Sequence, residues 1–392
     1  MNETAMRLFS ALLIFVCCQG SFAQTLQPDS TIITRLLRDI KEEQVTAGGG
    51  EFYAGSFPTR RHFAGFPPNN RPDNSIFFTG LISFTLQSVT NSFSAPQLQL
   101  ALQVLQNAEQ AYTYFQNKDG KPLYFFWPRG KPIMPHTLLA QHLTSHISTA
   151  EDADDTVLIL MGLLNQNDSI NRLAKNLIDS FANTRFRNNK STFKKYSGVP
   201  AYNTYLGKKM HSDFDLCVHT NVLYFALANN IPLNRYDSAT IHLASSMLSN
   251  QEHLRQGAYI APYYVRRPVI LYHLARLMGR FDIPALNNYK PQLVAQLYNE
   301  LALCKIPMDK VILHTSLLRL GQKPAPLVIN SIETFTRQDD RFIFYQARAG
   351  SQMANPFKQV FLNCNRLNYY FYCTAYNKAL LLEYVVERNR TR

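Results

Sequence analysis

The densest chemistry in the chain lies in six consecutive residues, Glu151-Asp152-Ala153-Asp154-Asp155-Thr156. Four carboxylates in so short a stretch repel one another, so at least one is expected to keep its proton above the value of about 4 typical of an isolated side chain. The apolar run that follows, VLILMGLL, pushes in the same direction by burial. A carboxylic acid kept neutral beside apolar surface is a general acid. Acids also suit a helix start, where Asp caps free N–H groups and answers the helix dipole. That dipole lowers carboxylate pKa values, so the capping role and the acid role pull against each other.

Further groups are candidates for holding a ligand. Asp213-Phe214-Asp215-Leu216-Cys217-Val218-His219 sets Asp215, Cys217 and His219 at alternate positions, just before Thr220-Asn221 opens another apolar run. Asp215, His219 and Asn221 are therefore expected at a substrate site, with Asn221 also suited to an N-cap. Arg266-Arg267-Pro268 is a basic helix start, and an Arg pair beside a positive helix end suits a diphosphate or a carboxylate. His314 and Trp127, the latter in the loop FFWPRGKP, complete the expected substrate-binding set. His142 and His146 share a face if 138–148 is helical, with His136 nearby. No HExxH glutamate accompanies them, so they read as surface or rim residues.

The elements that must position these residues are helical. Six segments open with polar or small residues and turn almost wholly apolar: IFFTGLISFTL after Ser75, VLILMGLL after Thr156, VLYFALA after Asn221, VILYHLARLM after Pro268, VILHTSLLRL after Lys310, and KALLLEYVV after Asn377. A helix apolar all round must be buried, while amphipathic stretches such as 97–115, 170–183, 238–248 and 290–303 can cover it. Alternation of the two types predicts an all-α chain in which six inner helices are wrapped by about six outer ones. That is an α/α toroid, an (α/α)6 barrel, in a single domain over 24–392. The inner N-termini can then converge on one mouth. Gly/Pro-rich loops are expected at 47–72, 117–135 and 185–213.

The motif Asp152-Ala153-Asp154-Asp155-Thr156 resembles the D-x-D-D-[TS] motif of class II terpene cyclases of the squalene–hopene cyclase type. The resemblance implies an α/α toroid and proton-initiated cyclisation or isomerisation of an apolar, alkene-bearing lipid. It implies Asp154 as proton donor, Asp152 and Asp155 as the acids that orient and polarise it, and aromatic faces that stabilise a carbocation. The family's repeated Gln…Trp motifs are not present, and the chain has a single Trp. Asp215-x-Cys217 before an inner helix is similar to part of the zinc site of protein prenyltransferases, which implies a distant third ligand such as His273 or His314.

Composition bounds the rest. In 392 residues, 46% are apolar and 17% charged, which excludes a mostly disordered chain. Arg7, the apolar run Leu8 to Cys18 and the small–x–small close at Ser21-Phe22-Ala23 read as a signal peptide over 1–23. Export to the periplasm or beyond is therefore expected. Forty Lys and Arg against 27 Asp and Glu leave a net charge of +13. The basic doublets are scattered, without the stripe that nucleic acid requires. The partners expected are an apolar or anionic lipid-like small molecule, an acidic glycan or a membrane surface. A disulfide between Cys364 and Cys373 and four buried free thiols are both compatible with the spacing. No G-x-S-x-G elbow, phosphate loop or dinucleotide fingerprint is present, and no cofactor is expected. A polysaccharide-active (α/α)6 barrel or a non-catalytic binding protein are the alternatives to the cyclase.

Overall fold

The computed structural model describes residues 28–48, 50–66, 69–128, 150–208, 210, 212–348, 350–351, 353–362 and 364–391. The expected leader over 1–23 and His136, His142 and His146 lie outside the described residues. The described chain is mostly helical. Its long helices are α1 (Asp29–Glu43), α2 (Phe77–Val89), α3 (Ala95–Tyr112), α4 (Ala153–Gly162), α5 (Asp168–Ser180), α6 (Leu216–Ala228), α7 (Arg235–Ser249), α8 (Arg267–Arg280), α9 (Lys290–Leu303), α10 (Pro307–Arg319) and α11 (Thr374–Arg390).

The six apolar segments form α2, α4, α6, α8, α10 and α11, and these are buried on nearly every face. All ten residues of α4 are buried. Each of the six packs on the next along the chain, and α11 packs back on α2. Two of these contacts depend on missing side chains. A Cβ on Gly162 of α4 would lie 2.6 Å from the Cβ of Ser83 in α2, and one on Gly279 of α8 would lie 2.6 Å from the Arg319 carbonyl of α10. The amphipathic helices lie against this set: α1 on α11 and α3, α3 on α2, α5 on α4, α7 on α6, and α9 on α8 and α10. Helix α1 shows the pattern, burying Ile32, Ile33, Leu36, Leu37 and Ile40 along one stripe. Each such side chain contributes about 1.5–3 kcal/mol relative to exposure.

The strands correct the all-α expectation. A four-stranded antiparallel sheet runs in the order β2 (Asn69–Asp73), β1 (Thr59–Phe63), β6 (Asn368–Tyr372), β5 (Tyr345–Arg348). Strands β1 and β2 lie in the stretch expected as a loop over 47–72. Their alternation is hidden because the inward residue at Arg61 is a cation, buried against Asp73 at 2.9 Å. A second, two-stranded pair joins β3 (Glu151–Asp152) to β4 (Tyr205–Leu206), with Asp152 opposite Tyr205. The four cysteines among the described residues are free, so Cys364 and Cys373 do not form a disulfide here.

Candidate functional site

The acidic motif is fixed by its backbone before its side chains are considered. Strand β3 pairs with β4, Asp152 N–H donates to Tyr124 O at 2.8 Å, and Ala153 N–H donates to Thr204 O at 2.8 Å. The chain then turns into α4 with Asp152 as N-cap. Its Oδ1 accepts from Asp154 N–H at 2.7 Å and Asp155 N–H at 3.3 Å. Thr156 closes the turn, donating to Asp152 O at 2.6 Å and accepting from Tyr124 N–H at 3.0 Å. Within the motif, then, the capping role belongs to Asp152.

Asp154 is left free of that duty, and its carboxyl is 3% exposed. Asn221 of α6 donates from Nδ2 to Oδ1 at 2.6 Å, and the Tyr264 hydroxyl donates to Oδ2. Arg276 of α8 donates to Asn221 Oδ1, which fixes the direction of the Asn221 amide. Burial raises the Asp154 pKa, while the Asn221 and Tyr264 hydrogen bonds and the Arg276 charge oppose the rise. Each oxygen keeps a second lone pair, so a proton on either can point away from these donors. Asp155 is also buried, and neither of its oxygens has a hydrogen-bond partner among the described residues. Burial, with Asp152 and Asp154 adding repulsion, holds its pKa well above the usual range. Asp152 is raised too, by burial and by Asp154.

A pair of acids adjoins these three. Asp215 caps α6, accepting from Cys217 N–H at 2.8 Å, and its other oxygen accepts from Tyr263 N–H at 2.9 Å. Burial pushes it up to about 8 against those donors. Asp213 accepts from the Tyr263 hydroxyl at 2.9 Å, and burial raises it to about 6 against that bond and the Lys358 charge. Lys358 is itself buried, donating to Ser191 O at 2.6 Å, with its pKa lowered by desolvation to about 8.

Aromatic rings close over these acids. Tyr345 of β5 packs on Phe77 of α2 at 4.2 Å between centroids, on Phe126 at 5.5 Å and on Tyr264 at 5.7 Å. Phe77 reaches Tyr264 at 6.1 Å, and Phe78 packs on Tyr376 of α11 at 5.5 Å. Arg266, next to Tyr264, pairs with Asp309 in the first turn of α10. Phe77, Tyr264, Asp154 and Asn221 are thus linked by direct contact across α2, α4 and α6.

Of the expected site residues, Asp152, Asp154, Asp155, Asp215 and Asn221 come together. The others are engaged elsewhere. Both ring nitrogens of His314 face carbonyls, Lys310 O at 2.7 Å and Ala325 O at 3.1 Å. His219 Nε2 faces Tyr202 O at 2.8 Å, and burial lowers its pKa to about 4. Arg266 is held by Asp309, and Arg267 bonds Leu254 O at 2.9 Å and Glu300 at 3.2 Å. Trp127 Nε1 donates to Asp73 at 3.2 Å. Among the described residues no group of three or more His, Cys, Asp or Glu side chains is placed to hold a metal, so Asp215, Cys217 and a distant His do not form a ligand set.

Tyr264, Arg276, Asp213, Tyr345 and Lys358 were not foreseen. Arg276 carried a signal: a cation inside VILYHLARLM must be buried and so requires a partner. Tyr264 and Tyr345 carried none, since nothing local in sequence places them beside Asp154.

No protein-family model matches the chain, and no curated protein matches it. Among the described residues no helix is long and apolar enough to cross a membrane.

Proposed function

We propose that this chain is an exported α/α toroid protein of the class II terpene cyclase type, in which Asp154 protonates an alkene-bearing apolar lipid. The toroid reading is supported by the cyclic packing of the six buried helices and the outer position of the amphipathic ones. The observation that carries the activity is the Asp154 carboxyl itself, buried, raised in pKa, oriented by Asn221 and Tyr264, and roofed by aromatic rings.

In the reaction, the Asp154 proton passes to one carbon of a substrate double bond. The π electrons form the new C–H bond and leave a carbocation, which the faces of Phe77, Tyr264 and Tyr345 stabilise electrostatically. The Asp154 carboxylate takes back a proton from a neighbouring carbon, the C–H electrons restore a double bond, and the acid is regenerated, so the net change is isomerisation and no other reagent is consumed. Arg276 and Asn221 act as positioning residues, since Arg276 orients the amide that holds Asp154.

The test is turnover of linear isoprenoid alkenes in heavy water. The wild type should place deuterium on one product carbon, and Asp154→Asn should lower turnover by about 10²–10⁴-fold. The substitution is nearly isosteric, because an Asn carbonyl still accepts from Asn221 and its NH2 can donate to the Tyr264 oxygen. Folding should therefore survive. Unchanged turnover in Asp154→Asn contradicts the reading.

A further inference from the structure

The net charge of this protein is concentrated in one stretch. Residues 180–212 contain seven Lys and Arg and no Asp or Glu, so they supply +7 of the net +13. In the fold this stretch wraps into a cleft of about 480 Å³ bordered by Phe186, Arg187, Asn188, Lys190, Lys208 and Ser212, with no carboxylate among its lining residues. None of the three cations forms an ion pair among the described residues, and Lys190 and Lys208 are exposed. Lys195, outside the cleft, is by contrast paired to Glu252 at 2.6 Å.

The backbone that carries these like charges is held by a built framework. Arg187 donates to the Lys208 carbonyl, and Asn355 N–H donates to the Lys190 carbonyl at 3.0 Å. Beneath them, Ser212 Oγ bonds Asn183 at 2.8 Å and Asn203 at 2.6 Å, and Asn183 spans to Ser197 O and Val199 O. Fixing three cations around one concavity with no counter-charge costs electrostatic energy that an anionic ligand would return. The lining also has a directional character. Arg187 offers guanidinium N–H groups that fit a carboxylate or a sulfate, and Asn188 offers an amide for hydroxyls. The Phe186 ring, 52% exposed, presents an apolar face at the cleft edge, with Lys208 Nζ 5.7 Å from its centroid.

We propose that this cleft binds an acidic glycan, a chain of uronate or sulfated sugars. Concave shape favours a chain over a flat lipid surface, and the lining supplies a single aromatic platform where membrane docking needs a broad apolar patch. The site uses none of the residues assigned to acid catalysis, so it stands or falls independently of that reading.

The experiment measures equilibrium binding of a heparin oligosaccharide to the mature chain at several salt concentrations. Wild type should bind, more weakly as salt rises. The triple variant Arg187→Ala/Lys190→Ala/Lys208→Ala should lose about tenfold or more in affinity. The charge-matched control Arg280→Ala/Lys305→Ala/Lys323→Ala should lose less than about twofold. Because Arg187 is part of the framework, the pair Lys190→Glu/Lys208→Glu, at exposed positions, provides a second variant with the same expected loss. Absence of binding by the wild type, or equal losses in the triple and the control, overturns the proposal. So does tighter binding to phosphatidylglycerol vesicles that the triple abolishes while glycan binding persists.

Discussion

Five aspartates gather around the starts of α4 and α6, and three cations gather around one cleft in the stretch 180–212. Both are clusters of like charge, and the fold relieves them by opposite means. The aspartates are buried, and their repulsion is absorbed by raised pKa values and by N–H and O–H donors aimed at their oxygens. The cations lie at the surface, with main-chain contacts that hold their backbone without supplying a counter-charge. The first arrangement raises carboxyl pKa values in a dry place, and the second leaves cations at the surface without a counter-charge among the described residues.

Substitutions can break this contrast, the strongest first. Asp154→Asn should remove about 10²–10⁴ in turnover and leave glycan binding unchanged. The cleft triple Arg187→Ala/Lys190→Ala/Lys208→Ala should do the reverse, with about a tenfold loss of binding and normal turnover. A variant that lowers both readouts would show the two regions to be one site.

Arg276→Met probes how the acids are supported. It leaves the Asn221 carbonyl without its donor and removes a guanidinium packed 4.9 Å from the Phe84 ring centroid. Global stability should fall by about 1–3 kcal/mol in denaturant unfolding. An unchanged midpoint would mean that the Arg276–Asn221–Asp154 chain does not support the fold.

The smallest effect is a pH dependence. Asp215 is raised by burial from 3.8 to about 8. A carboxyl raised in the folded state gives stability that is complete below its unfolded pKa and lost as pH climbs to the folded one. Asp213, raised to about 6, acts likewise over a lower range. His219, lowered from 6.5 to about 4, runs the other way, and its slope ends above 6.5. Lys358, lowered from 10.5 to about 8, adds stability only as pH rises beyond about 8. Between pH 6.5 and 8 the denaturant midpoint should therefore fall. A flat or rising midpoint there would show Asp215 ionised throughout.

The helices were legible because their signals are local. Six apolar runs became six buried helices, and the stripe of α3, expected over 97–115, was observed at Ala95–Tyr112. The Asp152 cap was legible for the same reason, since it sits at a helix start, whereas Asn221, expected as suited to an N-cap, lies inside α6, whose cap is Asp215. The sheet was not, because β1 and β6 are some three hundred residues apart and the inward Arg61 breaks the apolar alternation. Nor was the cleft. Of its cations only Lys208 falls in a basic doublet, and only the fold brings Arg187, Lys190 and Lys208 around one concavity. Arg266, Arg267, His314 and Trp127 each contact a neighbour that spacing does not reveal.

The central claim is that Asp154 holds a proton at neutral pH inside the folded protein. Infrared difference spectroscopy between wild type and Asp154→Asn at pH 7 measures this without a substrate. The account predicts loss of the carbonyl stretch of a protonated carboxylic acid. Loss of an ionised carboxylate band instead would contradict it.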